Sequence, residues 1–106
     1  MEKLSTMQHH VFFWLKNPDS KEDLDSLISG LKSMQQIDSH QMLKVGVPAA
    51  TPKREVVDHS YAVSLLVTFS SVEDHNAYQE DPIHKKFVED CAHLWDKVQI
   101  YDSQDV

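Results

Sequence analysis

The segment from Tyr78 to Phe87 carries the residue types and spacing that best suit proton transfer. Asp81 can cap a new helix there, and Pro82 fits its first position because a missing N–H costs nothing at that point. His84 then falls in the first turn of the helix, where the positive end of the helix dipole disfavours imidazolium. A neutral imidazole can accept a proton, so His84 is a candidate general base. The alternative is a core histidine that serves packing alone.

The apolar pattern predicts the elements that position this segment. Strands are expected at residues 9–16, 42–47, 60–69 and 98–101, from period-two alternation and their content of aromatic and β-branched residues. Helical spacing predicts one helix after the turn at 17–20, a short helix ending near Tyr78, and a third from Pro82 to about Leu94. The order β-α-β-β-α-β, with the last helix broken, predicts an α+β fold: a ferredoxin-like antiparallel sheet with helices on one face.

Both faces of the first strand are apolar. His10, Phe12 and Trp14 point one way, whereas Val11, Phe13 and Leu15 point the other. Helices on one side of the sheet would leave one of these rows in water, so a second copy of the chain is the expected cover. We therefore predict a homodimer whose sheet face is formed by Val11, Phe13, Leu15, Leu66 and Tyr101.

Composition narrows the class of protein. A chain of 106 residues predicts one domain, spanning 1–106 with a core at about 9–102. A net charge of −7 without a basic cluster argues against a nucleic-acid partner. No stretch could span a membrane, the first residues lack a signal-peptide pattern, and the single Cys91 fits a reducing cytoplasm. Glycine-rich phosphate loops and Gly-x-Ser-x-Gly elbows are absent from the sequence.

The 7 histidines do not show a metal-binding spacing. His9 and His10 are adjacent on a strand and point to opposite faces, and His84 and His93 lie on opposite sides of one helix. His75 lies on the other side of the Pro82 break. We therefore predict no metal and no cofactor. A haem enzyme, which could use one exposed histidine, is a distant alternative.

Several segments resemble the stress-responsive A/B barrel (Dabb) family. They are the opening His10-Val11-Phe12-Phe13, the strand end Val67-Thr68-Phe69, the Tyr78…Asp81-Pro82-Ile83-His84-Lys85-Lys86-Phe87 segment and the closing Asp96-Lys97-Val98…Tyr101-Asp102. The resemblance covers about His9 to Asp102. Asp81 stands where the family often has a histidine before the proline. The family's fold is a ferredoxin-like domain whose sheets pair into a dimeric α/β barrel, which agrees with the two apolar faces.

The resemblance also implies a site. A plant member of the family closes a polyketide ring, and Tyr78, His84 and His10 match its catalytic tyrosine and two histidines. Its first helix contributes aromatic residues to the pocket, where this chain offers Leu27 and Leu31. The resemblance implies a substrate cavity between sheet and helices, lined by Phe12, Trp14, Leu27, Leu31, Leu65, Phe87 and Trp95.

Two functions remain open at this stage. The first is a cofactor-independent lyase, cyclase or monooxygenase that acts on a carbonyl-containing or polyketide-like molecule, with His84 as base and Tyr78 as hydrogen-bond donor to an enolate. The second is a non-catalytic, stress-associated or ligand-binding barrel that holds a small apolar or aromatic ligand, or none. Cavity size distinguishes them, since a substrate pocket usually occupies about 300 Å³ or more.

Overall fold

The computed structural model describes residues 6–106 and has the predicted order of elements. Short 3₁₀ turns at Met34–Gln36 and Ala92–Leu94 follow the first and third helices. None of the helices in the described chain is long and apolar enough to cross a membrane. The elements are β1 (Met7–Leu15), α1 (Lys21–Ser33), β2 (Met42–Gly46), β3 (Val63–Phe69), α2 (Val72–Glu80), α3 (Pro82–Cys91) and β4 (Trp95–Gln104).

The four strands form one antiparallel sheet in the order β2-β3-β1-β4. This topology confirms the predicted ferredoxin-like α+β fold. The last strand is longer than predicted: it begins at Trp95 and pairs with β1 from Leu15 back to Met7. The second half of β4 is polar, so the apolar pattern of the sequence did not indicate that the strand continues there. Backbone pairing with β1 does not require apolar side chains.

Side-chain caps fix where the helices begin. The Ser20 hydroxyl accepts a hydrogen bond from the Asp23 backbone N–H, and Ser71 does the same for Asp74, each at 3.1 Å. The Asp81 carboxylate accepts one from the Ile83 N–H at 2.8 Å, with Pro82 in the first position of α3. These caps satisfy N–H groups that lack a partner within the helix. The predicted break between α2 and α3 is therefore present.

The helices cover one face of the sheet, which we call the covered face. Along β1 and β3, buried residues alternate strictly with half-buried ones, and the buried residues point to the covered face. The prediction that Val11, Phe13 and Leu15 meet a partner chain is wrong, because these three lie beneath the helices and are at most 5% exposed. The alternation gave the two rows correctly, but both rows are apolar, and their pattern does not tell which one the helices cover. The buried row on the covered face comprises Met7, His9, Val11, Phe13 and Leu15 of β1 with Val63, Leu65, Val67 and Phe69 of β3.

The opposite side of the sheet, which we call the open face, carries a group of aromatic side chains. The Phe12 ring lies 4.4 Å from His10, 4.8 Å from Tyr61 and 6.1 Å from Tyr101, measured between centroids. Leu66 shares this face, because both Leu66 and Tyr101 are directly opposite His10 in the strand register. Leu66 and Tyr101 thus lie on the face opposite to Val11, Phe13 and Leu15, with which they were predicted to form one surface, and their contact with a partner chain stays a prediction.

Helices α1 and α3 approach each other closely at Gly30. A Cβ atom at this position would lie 2.7 Å from the Cys91 Sγ and 3.1 Å from the nearest Phe87 ring carbon. Both distances are shorter than ordinary van der Waals contact. The absence of a side chain at Gly30 is therefore what allows α1 to pack against α3.

Candidate active site

A small cavity lies between the covered face of the sheet and helices α2 and α3. Its volume is about 130 Å³. Most of its wall is apolar, and the polar side chains that reach it include His9, Tyr78, Gln79 and His84. The full lining comprises His9, Val11, Phe13, Met34, Leu65, Tyr78, Gln79, His84, Phe87, Val88, Trp95, Val98 and Ile100.

His84 reaches the cavity from the first turn of α3. Its ring packs edge-on against Tyr78, with 5.0 Å between centroids. Burial lowers the pKa of His84, the histidines at 9 and 75 lower it further, and the Asp81 carboxylate opposes this in part. The positive end of the α3 dipole acts in the same direction as burial. The imidazole is therefore neutral at pH 7 and can accept a proton.

Tyr78 is fully buried at the end of α2. Its hydroxyl donates to the Met34 Sδ at 3.7 Å, and its ring packs edge-on against Phe69. Burial raises the pKa of Tyr78, so the phenol keeps its proton. A thioether is a weak acceptor, so a carbonyl oxygen entering the cavity would offer this hydroxyl a better partner.

The histidine of β1 that reaches the cavity is His9. His10, the predicted catalytic residue, lies on the open face against Phe12, so that placement is wrong by one position in the strand. A shift of one residue moves a side chain to the opposite face of a sheet. The His9 Nδ1 lies 2.6 Å from the Asp102 Oδ1, and its ring is 6.2 Å from Tyr78 between centroids. Burial lowers the pKa of His9 and outweighs the opposing effect of Asp102.

The predicted lining residues divide into three groups. Leu65, Phe87 and Trp95 lie on the cavity wall. Phe12 and Trp14 do not, because they belong to the open-face row of β1. Leu27 and Leu31 are fully buried in the core on α1 and do not reach the cavity. All seven residues are apolar, but whether each one lies on the cavity wall depends on which face of its strand or helix is directed at the cavity.

The structure also brings together three side chains that the sequence kept apart. One ligand atom each from His9, His75 and Asp102 lies within 4.8 Å of the other two. His9 and Asp102 are directly opposite in the pairing of β1 with β4, and His75 approaches from α2. No local spacing signals this cluster, because 93 residues separate His9 from Asp102. Only the strand register could have indicated it.

Comparison with known proteins assigns a family. The family model of the stress responsive A/B barrel domain matches residues 7–105. The chain belongs to this family. The resemblance to this family found in the sequence is thereby confirmed.

Solved structures similar to this Dabb domain span nearly its whole length. Hydroxynitrile lyase from Passiflora edulis has a TM-score of 0.80 at 20% identity, over 98% of this chain and 96% of that one. A Dabb family protein with a ferredoxin-like fold from Mesorhizobium loti has a TM-score of 0.73 at 22% identity, over 93% and 95% of the two chains. A dimeric protein of unknown function from Bacteroides fragilis has a TM-score of 0.72 at 16% identity, over 94% and 96%. These likenesses establish the fold. Curated protein sequences give no significant match.

Proposed function

We propose that this Dabb domain is a cofactor-independent enzyme that acts on a small carbonyl compound in the cavity at His84. The observation that carries the proposal is the pairing of a neutral imidazole with a protonated phenol on the wall of one apolar cavity. Groups with opposite proton roles, set by their surroundings, are typical of acid–base sites.

The chemistry uses one proton and no external oxidant. The His84 imidazole removes a proton from the carbon next to the carbonyl, and the C–H electron pair forms an enolate. The Tyr78 hydroxyl, freed from the Met34 sulfur, donates a hydrogen bond to the enolate oxygen. The imidazolium then returns its proton to the product. The same base could remove the hydroxyl proton of an α-hydroxynitrile, whose C–C bond would break to leave a carbonyl compound and cyanide. The structurally similar Passiflora edulis protein is a hydroxynitrile lyase.

The cavity volume limits the substrate. At about 130 Å³ the cavity is smaller than the roughly 300 Å³ typical of substrate pockets. A cavity of about 150 Å³ can hold benzene, so the slightly smaller volume here favours a compound with only a few heavy atoms over an extended polyketide. The expectation of a polyketide-like substrate is therefore replaced by that of a small aldehyde, ketone, keto acid or hydroxynitrile.

The same volume favours a second candidate function. A non-catalytic ligand-binding barrel needs only a small apolar hollow, and the full burial of Tyr78 also suits a packing role. This candidate differs from the first in one measurable respect: ligands bind without being converted.

We also infer that the chain forms a homodimer through the open face. The aromatic group around Phe12 supports this, because clustered Phe, Tyr and Trp side chains are typical of interfaces. The similar protein from Bacteroides fragilis is dimeric. A cytoplasmic location is proposed on the single cysteine alone.

One experiment separates the two functions. Small keto acids, aldehydes, phenols and α-hydroxynitriles are tested for turnover with wild type, His84→Ala, Tyr78→Phe and, as a control, His93→Ala on the exposed surface. For an enzyme we expect His84→Ala to lose about 10²–10⁴-fold in kcat/KM, with His93→Ala unchanged. Activity should also fall as the pH drops below the lowered pKa of His84, because an imidazolium cannot accept a proton.

NMR titration of the His84 ring completes the test. A ring that titrates below its usual pKa of 6.5 and shifts with bound compound supports a site. Binding without turnover favours the ligand-binding barrel. A ring that neither titrates nor responds to any compound contradicts both functions and leaves His84 a packing residue.

A further inference from the structure

We propose that His9, His75 and Asp102 form a binding site for one divalent transition-metal ion of the Zn²⁺ type. The site lies beside the cavity, because His9 belongs to its wall, and it uses neither His84 nor Tyr78. It therefore goes beyond the proposed function and does not depend on it.

The sheet holds the first two ligands together. His9 on β1 and Asp102 on β4 are directly opposite in an antiparallel pair, so their side chains project on the same face. The Asp102 Oδ1 lies 2.6 Å from the His9 Nδ1. His9 is buried and fixed against Phe69, whereas the Asp102 side chain is 43% exposed and can rotate. One ligand is thus anchored and the other is adjustable.

The third ligand comes from the first half of α2. The His75 ring packs edge-on against His9 with 4.8 Å between centroids, and also against Phe69 at 5.5 Å. The Nε2 atoms of His9 and His75 each lie 3.4 Å from the Gln79 amide nitrogen. Both rings therefore approach the same side chain, which holds His75 beside His9.

The distances allow closure around an ion. In a tetrahedral Zn²⁺ site with bonds of about 2.0–2.1 Å, neighbouring ligand atoms are about 3.4 Å apart. The three ligand atoms here lie within 4.8 Å of one another, so small rotations of His75 and Asp102 suffice. A metal ion bound between His9 and Asp102 would replace the contact that the His9 Nδ1 makes with the Asp102 Oδ1.

The ligand types indicate the class of ion. Two imidazoles and one carboxylate suit Zn²⁺, Co²⁺ or Fe²⁺, whereas Mg²⁺ and Ca²⁺ prefer oxygen ligands alone. The carboxylate offsets one of the ion's two charges, and the net charge of −7 favours cations in general. Three protein ligands also leave a fourth position for water or another small ligand.

The test uses the untagged, full-length protein after treatment with a chelator. Calorimetric titration with ZnCl₂ should show one saturable site per chain, and Co²⁺ should give the visible absorption of a nitrogen- and oxygen-ligated ion. His75→Ala should weaken Zn²⁺ binding by at least about 100-fold, and Asp102→Asn by about 10–100-fold. MgCl₂ should give no saturable binding.

Matched variants make the result decisive. His93→Ala removes an exposed histidine elsewhere and should leave Zn²⁺ affinity unchanged, as should His84→Ala in the cavity. Asp102→Asn on the exposed strand keeps the test valid if His75→Ala fails to fold, which circular dichroism would reveal. Absence of saturable binding by the wild type overturns the proposal. Equal affinity in wild type, His75→Ala and Asp102→Asn overturns it as well.

Discussion

The two faces of the sheet are built from the same strands but hold different kinds of side chain. On the covered face, Phe13 is 3% exposed and the polar groups that reach the cavity are imidazoles, a phenol and an amide. On the open face, Phe12 and Trp14 are half-buried and Tyr101 is 62% exposed. Residues adjacent in the chain thus experience surroundings that differ as much as a core differs from a surface.

This difference shows which polar groups a small core can hold. Burial penalises charge, so the polar residues of the covered face are those that are neutral near pH 7. His9 and His84 have a lowered pKa and Tyr78 has a raised one, all three chiefly through burial. A buried face with neutral donors and acceptors suits proton transfer, whereas the open face offers area for association.

The largest expected effect is a loss of stability, and it comes from comparing the two faces within β1. Phe13→Ala should lower the free energy of unfolding by about 3–5 kcal/mol, because it leaves a cavity in the core. Phe12→Ala, one residue away, should lower the stability of the single chain by less than half as much. Urea unfolding at low protein concentration measures both. Equal losses would mean that the two faces are equally buried in solution.

A smaller effect tests association through the open face. Phe12→Glu should weaken self-association at least about 100-fold, or about 2.7 kcal/mol, because it places a charge among the aromatic rings. Sedimentation across a range of concentrations provides the measurement. Lys32→Gln, which changes the net charge by the same amount on the exposed side of α1, serves as the control. A wild type that remains a monomer at micromolar concentration would contradict the homodimer.

The smallest effect is expected from a pair of glycines. Gly30→Ala should lower the free energy of unfolding by about 1–3 kcal/mol, since its Cβ would meet the Cys91 sulfur between α1 and α3. Gly46→Ala should stay within about 0.5 kcal/mol of wild type. Its Cβ would meet only the rotatable Ser64 hydroxyl, at 3.1 Å on the open face. Thermal unfolding of both variants measures the two losses of stability. A larger loss of stability in Gly46→Ala than in Gly30→Ala would contradict the close packing described between α1 and α3.

Features set by a few neighbouring residues could be predicted from the sequence. The Asp81–Pro82 break is one, because a cap and a proline act on the backbone next to them. The order of elements follows for a similar reason, since helical and strand periodicity are local properties. The contact of Tyr78 with His84 across that break is a direct result of this local geometry.

Features that depend on distant parts of the chain could not be predicted in the same way. Both rows of β1 are apolar, so neither His9 nor His10 could be assigned to the cavity without knowing where the helices lie. The contact of His9 with Asp102 depends on the register between β1 and β4. The size of the cavity depends on the fit of some dozen side chains, which apolar patterning does not encode.

The position of β1 in the sheet has a consequence for the order of events during synthesis. Both strands that pair with β1 come much later in the chain, beginning at Val63 and Trp95. At about 5–20 residues per second, a ribosome delivers β3 several seconds after β1. Throughout that interval a nine-residue strand, apolar on both faces, has no partner to pair with. The nascent chain is therefore most prone to aggregation at its first strand, and chaperone binding is expected to matter most there.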